Sequence, residues 1–317
     1  MQVRFNGKLS SEHSLIGGGP QGTLLGQLEY IVQSNDVADC VDEEDRFKYI
    51  DDLSILELIS LAGVLTEFDC IQSVPSDVGV GDEYLSPESY RTQNRIKQIA
   101  AWTKDNLMEV NEKKTNYMIF TRVMVNFTTR LRINNTYMER VEEAKVLGVW
   151  LTSDLTWGKN TKELVKKSFA KIGMLTKLRY VGVAIEDLLD IYALCIRSIV
   201  EYCSVLWHSR LTQEMITSLE MVQKTCLRVI LGENYVSYSA ALEMCNLKSL
   251  WQRREDRCMN FAKKCLKHPL HSRQFPVNSN NVKNKHTSRE TFDVNFASTE
   301  IYRKSAIPYL QRMLNKS

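Results

Sequence analysis

The segment RFKYIDDLSIL, residues 46–56, places two adjacent carboxylates, Asp51 and Asp52, in the middle of an apolar run. β-Branched and aromatic residues on both sides favour strands, so the acidic pair is predicted to lie at the turn of a hairpin. Burying charge costs free energy unless the charge is paired, hydrogen-bonded or bound to a metal ion. Two carboxylates on a tight turn suit a hard divalent cation such as Mg²⁺. The pair alone is a weak indication, because most such pairs lie in surface turns.

The composition is that of a globular protein, since 44% of the 317 residues are hydrophobic. A chain of this length forms one large or two modest domains. No apolar run approaches the ~20 residues that span a bilayer, and the first residues lack the apolar core of a signal peptide. The eight cysteines show no paired C-x-x-C spacing, which predicts free thiols in a reducing compartment. We therefore expect an intracellular protein, in the nucleus or cytoplasm and not secreted, with no membrane partner.

The net charge of +3 conceals a strong asymmetry along the chain. Residues 1–90 contain 4 Lys+Arg and 17 Asp+Glu, a net charge of −13. Residues 91–317 contain 37 Lys+Arg and 21 Asp+Glu, a net charge of +16. A chain divided in this way often binds a polyanion with its basic part, and the acidic part could hold cations. The alternative is that both parts are solvated surface.

Hydrophobic periodicity predicts an α+β fold, with a mixed N-terminal half of about 155 residues followed by a helical half. GGGPQG, residues 17–22, is predicted to be a loop, because glycine and proline interrupt regular structure. Strands are predicted on both sides of the acidic pair and at 115–120, 127–134 and 142–151. Helices are predicted at 23–33, 89–108, 159–180, 185–208, 212–231 and 249–267. Residues 271–317 are polar and weakly periodic, which predicts a weakly structured tail.

Four segments, in this order, resemble blocks of the reverse transcriptases of LINE-type (non-LTR) retrotransposons. GGGPQGTLLG (17–26) resembles the G-x-P-Q-G-x-x-L-G segment, and YIDD (49–52) resembles the Y/F-x-D-D signature. WTKDNLMEVNEKKTNYMIF (102–120) is similar to the block that ends in N-x-x-K-T and a strand. KVLGVWLTSDLTW (145–157) resembles the L-G-V hairpin called the primer grip. The resemblance covers roughly residues 1–270, because EYCSVLWHS (201–209) and LEMVQKTCLRVILG (219–232) are similar to the region that follows the polymerase.

This resemblance implies a set of catalytic and substrate-binding residues. Asp51 would be a ligand of the two catalytic Mg²⁺ ions, and Asp52 the neighbouring member of the family's aspartate triad. Lys114 would lie near the leaving pyrophosphate, where a cation stabilises developing phosphate charge. The residues expected around the substrates are Tyr49 beside the primer terminus, and Gln21 with Gly19 and Gly22 at the template base and incoming nucleotide.

The resemblance also implies a surface that holds the primer strand and the duplex. Leu147, Gly148 and Val149 would position the primer in the grip hairpin. The helix at 159–180 would be the thumb, and its basic face suits sequence-independent contact with the phosphate backbone. Its candidate lysines are Lys159, Lys162, Lys166, Lys167 and Lys171. The expected partners are an RNA template, a DNA primer and deoxynucleoside triphosphates. The alternative for the lysines is a solvated helix face.

The chain departs from the family pattern at one important point. The D-x-S-x-A-F-D block that carries the third metal-binding aspartate has no counterpart before Pro20, and neither do the fingers. We therefore expect a partial palm at 1–155, with an upstream polymerase segment missing, then a helical thumb and C-terminal region at 156–270 and the tail at 271–317. The expected function is RNA-directed DNA polymerase, here as a truncated portion that is inactive alone. The alternative is a non-catalytic, nucleic-acid-binding remnant of such an element.

Overall fold

A computed structural model of the chain describes residues 4–5, 8–11, 36–37, 46–49, 52–56, 87–120, 130–277 and 292–316. The chain divides into two compact units. The first comprises Met1–Tyr117 and Val123–Val141, and the second comprises Met118–Arg122 and Glu142–Ser317. The division after Val141 differs from the boundary predicted at residue 155, because the hairpin that follows Val141 packs with the helices of the second unit.

The first unit contains short strands and one long helix. Its elements, in chain order, are β1 (Arg4–Phe5), β2 (Lys8–Leu9), β3 (Arg46–Tyr49), β4 (Asp52–Ile55), α1 (Pro87–Asp105), β5 (Asn116–Tyr117), β6 (Arg132–Ile133), β7 (Thr136–Tyr137) and β8 (Glu139–Arg140). In the described part of the chain the strands form two-stranded pairs: β1–β2, β3–β4 and β6–β7 are antiparallel, and β5–β8 is parallel. A larger antiparallel palm sheet therefore stays a prediction.

The acidic hairpin and helix α1 share a small apolar cluster in the first unit. The β3–β4 pair confirms the two predicted strands, but Asp52 lies in β4, opposite Tyr49, and not in the turn where it is predicted. Ile99, on the buried face of α1, packs against Leu53 and Ile55 of β4. The described residues of this unit thus bury little apolar surface around the hairpin, which is a modest source of stability.

A buried glutamine joins α1 to the strand β6. The side chain of Gln93 is 5% exposed. Its Nε2 donates to the carbonyl oxygen of Arg132 at 2.7 Å, and its Oε1 accepts from the Arg132 N–H at 2.8 Å. This side chain therefore satisfies both backbone groups of a strand residue, which an apolar side chain would leave unpaired.

The second unit begins with a hairpin and continues as helices. Its elements, in chain order, are β9 (Glu143–Val146), β10 (Val149–Thr152), α2 (Gly158–Tyr180), α3 (Ile185–Tyr192), a π-helix (Ala193–Arg197), α4 (Ser198–Val200), α5 (Ser204–Trp207), a 3₁₀ turn (His208–Arg210), α6 (Gln213–Leu231), a 3₁₀ turn (Gly232–Asn234), α7 (Tyr238–Met244), α8 (Leu250–Leu266), a 3₁₀ turn (Ser272–Gln274), α9 (Glu300–Arg303) and α10 (Ala306–Lys316). The helices predicted at 159–180, 212–231 and 249–267 are confirmed as α2, α6 and α8.

The core of the second unit lies between α2, α3 and α6. Leu164, Ile172 and Leu175 of α2 recur at helical spacing and are buried in one cluster with Leu219 and Val222 of α6. Capping side chains fix where the helices begin, as Ser249 does for α8 in a capping box with Gln252. None of the described helices has the length and apolar content needed to cross a bilayer.

The helix predicted at 185–208 is interrupted. A π-helical turn follows α3, and the chain leaves helical geometry at Cys203, whose φ of 49° lies in the left-handed region. Helical structure resumes with α5, whose Trp207 is fully buried. The interruption exposes Tyr202 beside a buried neighbour, Glu201.

The C-terminal residues differ from the predicted weakly structured tail. Residues 306–316 form helix α10, whose Leu310 and Leu314 pack in a second apolar cluster with Cys258 and Phe275. Gln311 is fully buried and donates to the carbonyl oxygen of Gln274 at 2.7 Å. The segment 292–316 is therefore an integral part of the second unit.

Candidate nucleic-acid interface

The residues predicted to form the grip lie at the tip of the β9–β10 hairpin. Val146 pairs with Val149, so Leu147 and Gly148 form a two-residue turn. Their φ angles are 46° and 87°, and positive φ at both central residues is the signature of a type I′ turn. Leu147 is 46% exposed, whereas Val149 is 5% exposed and packs in the core. The tip can therefore contact a ligand through Leu147 and Gly148, while the Val149 side chain anchors the hairpin.

Polar side chains join this hairpin to the start of helix α2. The Trp150 N–H donates to Asn160 Oδ1 at 3.2 Å, and Asn160 is buried. In the intervening turn, Asp154 Oδ1 accepts from the Thr152 hydroxyl at 2.6 Å and from the Thr156 N–H at 3.0 Å. The hydrogen bond from Thr152 is the main cause of the lowered pKa of Asp154. The hairpin and the helix are thus linked by hydrogen bonds as well as by the core.

Lys159 has a different environment from the other candidate lysines. Its Nζ lies 2.9 Å from Glu143 Oε1 and 4.9 Å from the centroid of the Trp150 ring. The hydrogen bond to Glu143 is the main cause of the raised pKa of Lys159, and the charge of the same carboxylate also raises it. This lysine therefore fastens the first turn of α2 to the hairpin, and its role as a phosphate ligand stays a prediction.

The remaining lysines form part of the exposed surface of α2. We name this surface the lysine face and define it as Lys162, Lys166, Lys167, Lys171 and Lys177. In the described part of the chain, no ion pair involves these five side chains. Because no carboxylate among the described residues pairs with them, these charges suit contact with a polyanion.

The acidic hairpin is described only in part. Asp52 begins β4 and is exposed to solvent. Asp51, Gln21, Gly19 and Gly22 lie outside the described residues, as does the side chain of Tyr49. Their predicted roles therefore stay predictions.

Lys114 lies in a turn that the N-x-x-K-T motif itself stabilises. Asn111 Oδ1 accepts from the Lys114 N–H at 3.2 Å, and the Asn111 carbonyl oxygen accepts from the Thr115 hydroxyl at 2.9 Å. Glu112 accepts from Thr136 and from Asn134 of the neighbouring hairpin, and these bonds lower the pKa of its carboxyl. The turn therefore holds its own shape and leaves the Lys114 side chain exposed.

A resident metal ion is supported only in part by the described residues. The exposed Asp52 carboxylate offers the oxygen ligands that Mg²⁺ prefers. Among the described residues, however, no group of three or more His, Cys, Asp or Glu side chains could hold a metal ion. The six described cysteines are free thiols, as predicted.

Tyr202 is a residue of this surface that the sequence does not reveal. Its hydroxyl donates to the carbonyl oxygen of Leu147 at 2.8 Å, across 55 positions of sequence. The only signal in the sequence is its place in the EYCSVLWHS segment, which carries no periodicity that would indicate contact with the hairpin.

Lysine side chains are among the groups that contact phosphate oxygens in complexes with nucleic acid. Comparison with known proteins finds a distant similarity to a transposon polymerase. The probable RNA-directed DNA polymerase from transposon BS of Drosophila melanogaster is 24% identical over 215 residues, which cover 65% of this chain and 21% of that protein. The chain therefore spans about a fifth of the length of this relative. No family model and no solved structure matches the chain.

Proposed function

We propose that the chain is the palm and thumb portion of an RNA-directed DNA polymerase from a non-LTR retrotransposon. In this proposal the second unit binds the duplex of an RNA template and a DNA primer. The lysine face of α2, which begins a few residues after the grip hairpin and has no carboxylate partner among the described residues, carries the proposal. The distant similarity to a transposon polymerase supports it as well.

The catalytic part of the proposal concerns the first unit. Reverse transcription adds a deoxynucleotide to a primer 3′ end by in-line phosphoryl transfer, for which two Mg²⁺ ions supply charge neutralisation. We propose Asp51 and Asp52 as carboxylates for these ions and Lys114 as the cation near the pyrophosphate. The hairpin that presents Asp52 and the exposed turn that presents Lys114 support these roles. Tyr49, Gln21, Gly19 and Gly22 would line the nucleotide pocket.

Duplex binding can be tested by fluorescence anisotropy with an RNA–DNA duplex at several salt concentrations. The test variant changes four lysines of the lysine face, Lys162, Lys166, Lys167 and Lys171, to glutamine. The matched control changes four other exposed lysines, Lys263, Lys264, Lys267 and Lys316, so that both variants lose the same charge. Each phosphate contact contributes about 0.9 to the magnitude of the slope of log K against log salt. The magnitude of this slope should therefore be smaller by about 3 to 4 in the test variant than in the wild type. Equal losses in both variants would contradict the proposal.

A second candidate function is a protein that binds nucleic acid without catalysis. This alternative is favoured by the lysine face, which could bind a nucleic-acid backbone without any contribution from the acidic hairpin. Primer extension on an RNA template with Mg²⁺ separates the two functions. A polymerase gives product that Asp51→Asn abolishes and the control Asp36→Asn does not. Absence of product together with binding that depends on the lysine face would favour the non-catalytic protein.

A further inference from the structure

The tip of the grip hairpin rests against one side chain from a distant part of the second unit. Besides its hydrogen bond to Leu147, the ring of Tyr202 lies directly over Gly148. A Cβ atom added to Gly148 would lie 3.2 Å from Tyr202 Cε1, which is tighter than most Cβ contacts in proteins. Because glycine has no Cβ atom, the Tyr202 ring can pack against the backbone of Gly148. The Tyr202 hydroxyl at the same time holds the carbonyl oxygen of Leu147.

Leu147 needs such support because of its backbone conformation. A φ of 46° places a leucine in the left-handed region, which residues with a Cβ atom disfavour. Backbone in this region persists where the surroundings hold it, and such positions cluster at functional sites. The hydrogen bond from Tyr202 restrains the peptide group that joins the two tip residues.

Tyr202 is itself held from both sides by buried residues. The preceding Glu201 is 3% exposed and accepts from Arg253 Nε at 2.5 Å and from Arg257 Nη1 at 2.8 Å. The fully buried Trp207 donates through Nε1 to the carbonyl oxygen of Tyr202 at 3.0 Å. These contacts with α8 and with the core therefore hold the backbone from which the Tyr202 ring extends, and none of them involves the hairpin.

We propose that Tyr202 is a positioning residue that holds the Leu147–Gly148 tip where it contacts the 3′-terminal strand of a primer–template duplex. This inference rests on the proposed function, since it assigns the partner of the exposed tip to the DNA primer strand. The lysine face then supplies most of the binding to the duplex. Tyr202 contributes through the hairpin by fixing where the primer end lies.

The test uses the full chain and an RNA template annealed to a DNA primer with a photoreactive nucleotide at its 3′ end. Tyr202→Phe removes only the hydroxyl and keeps the ring, and thermal unfolding checks that it folds. Tyr302→Phe is the matched control, because it also removes a tyrosine hydroxyl that contacts a side chain, that of Asn295. Three quantities are measured: hydrogen exchange in residues 143–152, affinity for the duplex, and crosslinking of the primer end to residues 143–152.

We expect Tyr202→Phe to raise exchange in the hairpin and lower crosslinking to it by about fivefold each, the effect of losing one hydrogen bond. Duplex affinity, which depends on the lysine face, should change by less than about twofold. A merely structural role would instead weaken affinity and crosslinking together. The inference is overturned if hairpin exchange or crosslinking is unchanged, or if the wild-type crosslinks map outside the hairpin. If the wild type shows no binding that depends on the lysine face, the proposed function fails as well.

Discussion

The buried histidine of the second unit should make stability depend on pH. His208 is 1% exposed, and its ring centroid lies 4.5 Å from that of Trp251 and 5.9 Å from that of Tyr309. In the described part of the chain neither ring nitrogen has a hydrogen-bond partner. Burial, and next the positive charge of Arg254, lower the pKa of His208 from 6.5 to about 4. Burial also raises the pKa of Tyr309 to about 12, so this neighbour stays neutral in acid.

The direction and size of the effect follow from proton binding in the two states. Between pH 6.5 and about 4 the unfolded chain binds a proton at this histidine and the folded chain does not. The contribution of His208 to the free energy of unfolding is therefore fully present above pH 6.5. This contribution is lost as the pH falls towards 4. The difference between the two pKa values corresponds to a loss of about 3 kcal/mol in the free energy of unfolding.

Urea unfolding followed by tryptophan fluorescence measures this loss, because Trp150, Trp157, Trp207 and Trp251 all belong to the second unit. Between about pH 7 and pH 4, the free energy of unfolding should fall by about 3 kcal/mol more in the wild type than in His208→Phe. Carboxylates titrate equally in both proteins, so the difference isolates the histidine. His271→Gln, at an exposed position, should behave as wild type. Identical pH dependence in wild type and His208→Phe would refute the reasoning.

Three further substitutions test the packing of the second unit by urea unfolding. Glu220 accepts from the Trp251 backbone N–H and from the Tyr238 hydroxyl, each at 2.6 Å. Glu220→Ala should therefore lower the free energy of unfolding by about 3 kcal/mol. An unchanged free energy of unfolding would show that these hydrogen bonds do not stabilise the fold. Gly148→Ala should cost about 1–2 kcal/mol because its φ is positive, and an unchanged midpoint would contradict the type I′ turn. Leu310→Ala should cost about 3 kcal/mol, whereas a weakly structured C-terminal segment would tolerate it.

The sequence predicts those elements whose own residues determine them. Helix α2 is predictable because Leu164, Ile172 and Leu175 recur on one side, whereas its lysines are exposed. The residue pattern predicts a strand at 142–151, and the resemblance to the L-G-V block implies the β9–β10 hairpin in this segment. Both belong to the candidate site, so its main parts are visible in the sequence.

The remaining features depend on contacts that local patterns do not encode. The chain turns at Cys203 without the glycine or proline that usually marks such a break. Helix α10 is hidden by Pro308 near its start, where the first turn of a helix tolerates proline. The contact between Tyr202 and Leu147 depends on how α3 to α5 pack, which periodicity within one element cannot specify.

The π-helical turn at Ala193–Arg197 changes the direction in which the residues after it leave the helix. Such turns contain one more residue than an α-helical turn, and each residue rotates a helix by about 100°. The added residue therefore sets the direction in which Glu201 and Tyr202 leave the helix. The alignment of an aromatic ring with a hairpin fifty-five positions earlier thus depends on a single extra amino acid in the preceding turn.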